Sequence, residues 1–312
     1  MENLLLSFHV VAPLMIYIAI GIALRKTGIL QEESCREISR VVFYVALPAL
    51  CFMNILDADF STVFNDPFTL YLAAGIVILF LLCMLLVPRF CTDNRRRGVL
   101  VQSIFRSNDG VFGLAVATSL MGAEHMGLMT ISVALSVPLF NALAVVDMET
   151  FRGGRARAGT IVKKILTNPI VVACALAVAL NLLQIRLPAL LSDTLTKIAG
   201  VCAPVGFLAL GGTLSFASVR RNGRAIGAVS LLRLVVSPVV FVGLLYLLGY
   251  RGDHLLVTLI LFGAPTAMST YAMACAMNGD EELAGGTVAI TSVLSIFTMF
   301  VFIFLLKQLG VA

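Results

Sequence analysis

Residues 106–113 read RSNDGVFG, preceded by RRRGVLVQSIF and followed by LAVATSLMG. Arg106, Ser107, Asn108, Asp109 and Gly110 therefore interrupt a segment that is otherwise apolar enough to cross a bilayer. Glycine costs about 1 kcal/mol in a helix interior, and an ionisable group inside a membrane segment points to function by default. The five residues predict a break in a helix, near mid-membrane at about 1.5 Å of rise per residue.

The rest of the chain fits that reading. Of 312 residues 60% are apolar and 12% charged, with a mean hydropathy of +1.01. A soluble domain is about half apolar and about a quarter charged, so this composition excludes a soluble globule and predicts a multi-pass membrane protein. The net charge of +5 does not indicate nucleic acid, because the basic residues fall in short connections between apolar runs. Seven scattered cysteines and three isolated histidines (His9, His125, His254) show no metal-ligand spacing and predict neither metal nor disulfide. No cofactor motif is present, and no serine–lysine or paired-aspartate arrangement suggests an enzyme. The N-terminus lacks a basic n-region and a small-residue cleavage site, and reads as a first span.

Ten apolar spans are expected, at 6–24, 37–56, 68–88, 98–121, 127–147, 167–185, 195–216, 225–248, 255–277 and 284–306. A basic, glycine-rich connection, 148–166, divides residues 1–147 from 167–312, five spans each. Sixteen of the 22 lysines and arginines fall on one side of this arrangement, which places both termini outside the cytoplasm. The NGDEEL connection before the last span (278–283) is acidic and dissents.

Halves with an odd number of spans must be inverted relative to each other. A shift of 156 residues carries Pro13 to Pro169, Pro48 to Pro204 and Asp109 to Pro265, so it lays SNDG of span 4 on GAPT (263–266) of span 9. Breaks are expected at Ser107–Gly110 and Gly263–Pro265, since proline removes an N–H and clashes with the preceding turn. A half-helix starts after each break, and its free N–H groups and positive dipole end suit an anion. Inverted repeats with broken helices are a transporter architecture. Against this stands a kinked packing helix whose Ser and Asn bond neighbouring helices.

Around the breaks, Asn108 offers an uncharged amide donor to a carboxylate. Arg106 could pair with one bidentately or snorkel to the interface. Asp109 could carry a coupled proton, or face water, or pair with Arg106 or Arg233. Ser107, Gly110, Pro265, Thr266, Ser269, Thr270 and Tyr271 would shape the cavity. Asn54 and Asn141 are candidates for the site or for helix–helix hydrogen bonds.

At these residues the chain resembles the auxin efflux carrier family. VALPALCFMNIL (45–56) resembles its proline-bearing second span, and SNDGVFG (107–113) its fourth-span crossover, an Asn followed five residues on by Gly, here Asn108 and Gly113. CAPVGFLALGGTLSF (202–216) resembles its seventh span and GAPTAMSTYAMACAMNGD (263–280) its ninth-span crossover. The resemblance covers essentially the whole chain. It implies an all-α fold of ten helices in a five-plus-five inverted repeat with helices 4 and 9 broken and crossing. It further implies a homodimer, through a scaffold domain, and export or import of small organic anions by an elevator-type movement. Plant members carry proline where Ser107 stands and often a long central loop. The compact form instead resembles prokaryotic malate or malonate permeases of the inner membrane, which speaks against auxin as substrate. A sodium-coupled symporter of the related bile-acid type is the alternative.

Overall fold

The computed structural model describes residues 2–56, 67–121, 126–152 and 158–311. His125 and the 153–157 part of the central connection lie outside them. The described residues are almost wholly helical: α1 (Glu2–Lys26), α2 (Glu32–Leu56), α3 (Pro67–Phe90), α4 (Asn94–Phe105), α5 (Leu114–Met121), α6 (Met126–Phe151), α7 (Ala158–Leu166), α8 (Pro169–Leu182), α9 (Ala189–Thr213), α10 (Phe216–Arg221), α11 (Gly223–Leu247), α12 (Asp253–Gly263), α13 (Ser269–Met277) and α14 (Glu281–Gln308). Six of them, α2, α3, α6, α9, α11 and α14, are long and apolar enough to cross a membrane, and Asp109–Thr118, α8 and α12 are shorter apolar segments. Part of the expected central connection is helical, because α6 runs on to Phe151 and Ala158–Leu166 has an amphipathic pattern of its own.

Local chemistry sets many boundaries. Asp93 caps α4 by accepting from the Arg95 N–H at 2.9 Å, and Asp280 caps α14 through the Leu283 N–H at 3.0 Å. Asn168 caps α8 with Pro169 at its first position, where no N–H is needed. Within α2 and α11 a π-helical turn, Val42–Ala46 and Leu232–Val236, stands two residues before Pro48 and Pro238. The proline ring displaces the carbonyl four residues back, and the preceding turn widens to accept it.

Helix α1 packs along α9 and α2 along α8, while α4 lies between α3, α6 and α14. The first of these pairings depends on glycine. A Cβ at Gly211 would sit 2.1 Å from the Ile18 carbonyl oxygen, and one at Gly21 would sit 2.0 Å from that of Leu208. Without side chains at these points the two backbones touch, which is how apolar helices associate where lipid is as apolar as leucine. Outward, α3, α11 and α14 present Leu81, Leu85, Val239, Leu247, Phe297 and Phe304. Such continuous exposed apolar surface suits lipid and not water.

At one end of the bundle the acidic connection before α14 meets the basic ones. Glu281 pairs with Arg36 at 2.7 Å, Asp280 with Arg96 at 3.7 Å, and Glu282 with Arg221. Arg95 donates to the Asn278 and Gly279 carbonyls at 3.2 and 3.1 Å. The acidic connection thus lies on the same face as the basic ones and supplies their counter-ions.

Gly211→Ala is expected to force α1 and α9 apart and cost about 1–3 kcal/mol. A lower melting temperature in detergent checks this. A Gly227→Ala control, where a Cβ meets nothing within 4 Å, should melt as the wild type does.

Candidate functional site

Two helices stop inside the bundle. Helix α4 ends at Phe105, Arg106 is extended, Ser107 forms a β-bridge, Asn108 turns (φ −93°, ψ 44°), and a π-helical turn at Asp109–Gly113 leads into α5. The break therefore begins one residue before the expected Ser107, and the helix resumes at Asp109. Helix α12 ends at Gly263, as the Gly263–Pro265 sequence leads one to expect, and α13 starts at Ser269. The extended segments cross as an antiparallel bridge between Ser107 and Thr266, with the Asn108 N–H donating to the Pro265 carbonyl at 3.0 Å.

A break inside a bilayer survives only if its backbone groups find partners. The last four carbonyls of α4 all do. Gln102 O accepts from the Arg106 N–H at 2.9 Å, Ser103 O from the Thr266 hydroxyl at 2.8 Å, and Ile104 O and Phe105 O from Arg233 Nη1 at 3.4 and 3.1 Å. Arg233 also donates to α12, from Nε to Ala264 O and from Nη2 to Leu261 O, both at 2.8 Å. One fully buried guanidinium thus joins the negative ends of both half-helices. The Thr266 N–H donates to the Thr291 hydroxyl at 3.2 Å. Gly113 closes the π-turn through the Asn108 carbonyl at 3.1 Å. A Cβ at Gly113 would meet Ile260 Cγ2 at 2.9 Å, so glycine here lets α5 lie against α12.

The positive ends of the half-helices border a cleft with about 440 Å³ of space free of protein atoms, part of it open to the outside. Arg106, Ser107, Asn108, Asp109, Gly110, Asn54, Asn141 and Ser269 line it. Pro265, Thr266 and Thr270 do not. They stand behind it, Thr266 and Thr270 fully buried, because the chain at 265–266 is held against α4 and α14. Tyr271 is also behind, its hydroxyl 2.5 Å from that of Thr213. Helices α2 and α6 add an apolar wall that includes Leu47, Leu50, Cys51, Val137 and Phe140. No pattern in the sequence marks these five, since they are ordinary apolar residues of long apolar helices.

Electrostatically the cleft is rich in donors. Arg106, 2% exposed, donates to Gln102 Oε1 at 3.2 Å and to Asn141 Oδ1, and contacts Met273 Sδ at 2.7 Å. Asn141 is oriented by its own bond to the Val137 carbonyl at 2.8 Å. Asp109, buried at the first turn of the resumed helix, accepts from the Ser136 hydroxyl and is not ion-paired with either arginine. The Ser107 hydroxyl and the Asn108 amide nitrogen are buried without a partner. Among the described residues no group of three His, Cys, Asp or Glu is placed to hold a metal.

Crossing half-helices around a polar cleft, in a bundle with lipid-suited walls, define a membrane transporter. A family model described as membrane transport protein matches residues 6–156 and 153–303, and the chain belongs to this family, that of the auxin efflux carriers. An "Uncharacterized transporter" of Methanothermobacter thermautotrophicus is 26% identical over 305 residues, which covers 94% of this chain and 96% of the relative. Another of that description from Methanocaldococcus jannaschii is 24% identical, with 95% and 97% covered. A "Putative malonate transporter" of Rhizobium meliloti is 24% identical over 291 residues, with 88% of each chain covered.

The two buried arginines are expected to respond differently to substitution. Arg233→Met would strip donors from four carbonyls, each costing about 1–3 kcal/mol when left unsatisfied, and should yield no monodisperse protein in size-exclusion chromatography. Arg106→Gln should stay folded and lose ligand binding instead.

Proposed function

We propose that this chain is a secondary transporter of small organic anions, mono- or dicarboxylates, and that the crossover cleft is its substrate site. The observation that carries the proposal is the pair of unpartnered buried donors, Ser107 Oγ and Asn108 Nδ2, beside the Arg106 guanidinium at the start of a resumed helix. A carboxylate entering there would accept from all three groups and meet the positive dipole end. Leu50, Val137 and Phe140 would hold a short carbon chain. The name of the Rhizobium meliloti relative fits such a substrate.

In this reading ten segments cross the bilayer, with α4–α5 and α12–α13 as the broken spans of a five-plus-five inverted repeat. The half after the central connection mirrors residues 1–147. The basic face is cytoplasmic and both termini lie on the other side of a bacterial inner membrane. The anion moves by elevator-type alternating access within a homodimer. Asp109 supplies the coupling: an anion at Asn108 repels an ionised Asp109, so anion and proton enter together. A sodium-coupled symporter of bile-acid type has less support, because among the described residues Asp109 is the only carboxylate lining the cleft.

Uptake of labelled malonate, malate and succinate into vesicles containing the purified protein tests this. Saturable uptake by the wild type, lost in Asn108→Ala with the melting temperature kept, is the expected result. Wild-type affinity in that variant would refute the site. Asp109→Asn should abolish any stimulation by a pH gradient. Stimulation by a sodium gradient in its place would favour the symporter.

A further inference from the structure

Asp147 takes no part in the cleft or the crossover. It lies near the end of α6 that approaches the basic face, is fully buried, and neither carboxylate oxygen has a hydrogen-bond partner. Gly98 of α4 faces this carboxyl group: a Cβ placed there would lie 3.8 Å from Asp147 Oδ2, in ordinary contact, and 3.0 Å from Met148 Sδ.

Among the described residues, most of the charged and titratable groups on the helices packed around α6 have partners other than Asp147. Arg89 donates to its own Leu85 carbonyl, Arg96 to Asn222 Oδ1, and Tyr71 to the Phe241 carbonyl, while Lys163 of α7 has no side-chain partner. Arg97 donates to the Cys91 carbonyl at 2.6 Å and to Asn94 Oδ1 at 2.7 Å. Arg95 holds the turn before α14. Arg152 and Lys164 pair with Glu149 at 2.8 and 3.7 Å. Arg106 faces Asn141, and Asp109 faces Ser136. In α13, Tyr271 turns to Thr213, and Cys275 interacts with Tyr271 and Ser39. Cys51 of α2 and Cys174 of α8 face each other. His254 of α12 meets Phe68 edge-to-face, with ring centroids 4.8 Å apart and an interplanar angle of 86°. Cys83 of α3 lies within electrostatic reach of Asp147.

An ionised carboxylate without a donor or a cation is costly at such a place, and the neutral acid is not. Asp147 lies six residues beyond Asn141 on α6, about 9 Å along the helix. On the facing helix Gln102 stands between Gly98 and Arg106, and its Nε2 is likewise buried and unpartnered. The α4–α6 seam thus carries Asp147, Gln102, the Arg106–Asn141 pair and then Asp109–Ser136, in order from the basic face to the cleft.

We propose that Asp147 is a proton-binding site distinct from the substrate cleft, which takes a proton from water at the basic face and forms the outer station of a path along the α4–α6 seam to Asp109. The path rests on the transport reading above; the protonation of Asp147 does not.

Two measurements on the full chain test it. In the infrared spectrum of the purified protein at neutral pH, the carbonyl band of a protonated carboxylic acid should be present, lose intensity in Asp147→Asn and keep that component in Asp109→Asn. In vesicles, Asp147→Asn should lose the stimulation of labelled malonate uptake by a pH gradient while malonate–malonate exchange, which needs no net proton movement, continues. Asparagine is the isostere of the neutral acid, so an Asp147→Asn protein that fails to fold would contradict the protonated form. An unchanged band would overturn the site, and retained gradient stimulation would overturn the path. A wild type that moves no anion would refute the transport reading and with it the path, leaving the infrared band to decide Asp147.

Discussion

The guanidinium of Arg233 is the interaction on which the crossover depends. Breaking two helices inside a bilayer leaves carbonyls at one side of each break and N–H groups at the other, and lipid offers neither a partner. The protein treats the two sides differently. Arg233 gathers four carbonyls from α4 and α12, and its charge sits where both helix dipoles are negative. The positive ends, by contrast, border a cleft where two side-chain donors stay unpartnered. One pole is thus satisfied inside the protein, and the other leaves the cleft with hydrogen-bond donors that have no protein partner.

The same contrast separates the two buried arginines. Each lies inside an apolar segment. Arg233 spends its donors on backbone carbonyls, which fixes its position. Arg106 bonds side chains, Gln102 and Asn141, and lines the cleft. Side-chain partners can turn when a ligand arrives, and helix-end carbonyls cannot. The Arg106 guanidinium thus faces two side-chain amide oxygens and has no carboxylate bonded to it.

The acidic connection before α14 is the third consequence of packing. Counted along the chain, its acids oppose the basic character of its face. In the structure they are the counter-ions of Arg36, Arg96 and Arg221, three arginines near the ends of three other helices. These pairs tie α14 to the ends of α2, α4 and α10. The pairing of Arg36 with Glu281 also links α2, which walls the cleft on one side, to the helix behind the crossover.

Composition and local chemistry by themselves determined that this chain is a multi-pass helical membrane protein. They also placed the interruptions at SNDG and GAPT and pointed to Arg106, Asn108, Asp109 and Asn141, because polar groups and helix breakers in apolar segments are energetically conspicuous in a single dimension. The tertiary structure decided everything that depends on which groups meet. It brought Asn54, Asn141 and Ser269 to the break in α4–α5, and set Pro265, Thr266 and Thr270 behind the cleft. It also showed that Arg233 is a backbone clamp and left Asp147 buried without a partner. These outcomes turn on contacts between residues far apart in the chain, such as 233 with 104 and 107 with 266. A hydrogen-bond donor reads the same in a sequence whether it is satisfied or free, and only the packing of one helix against another settles which it is.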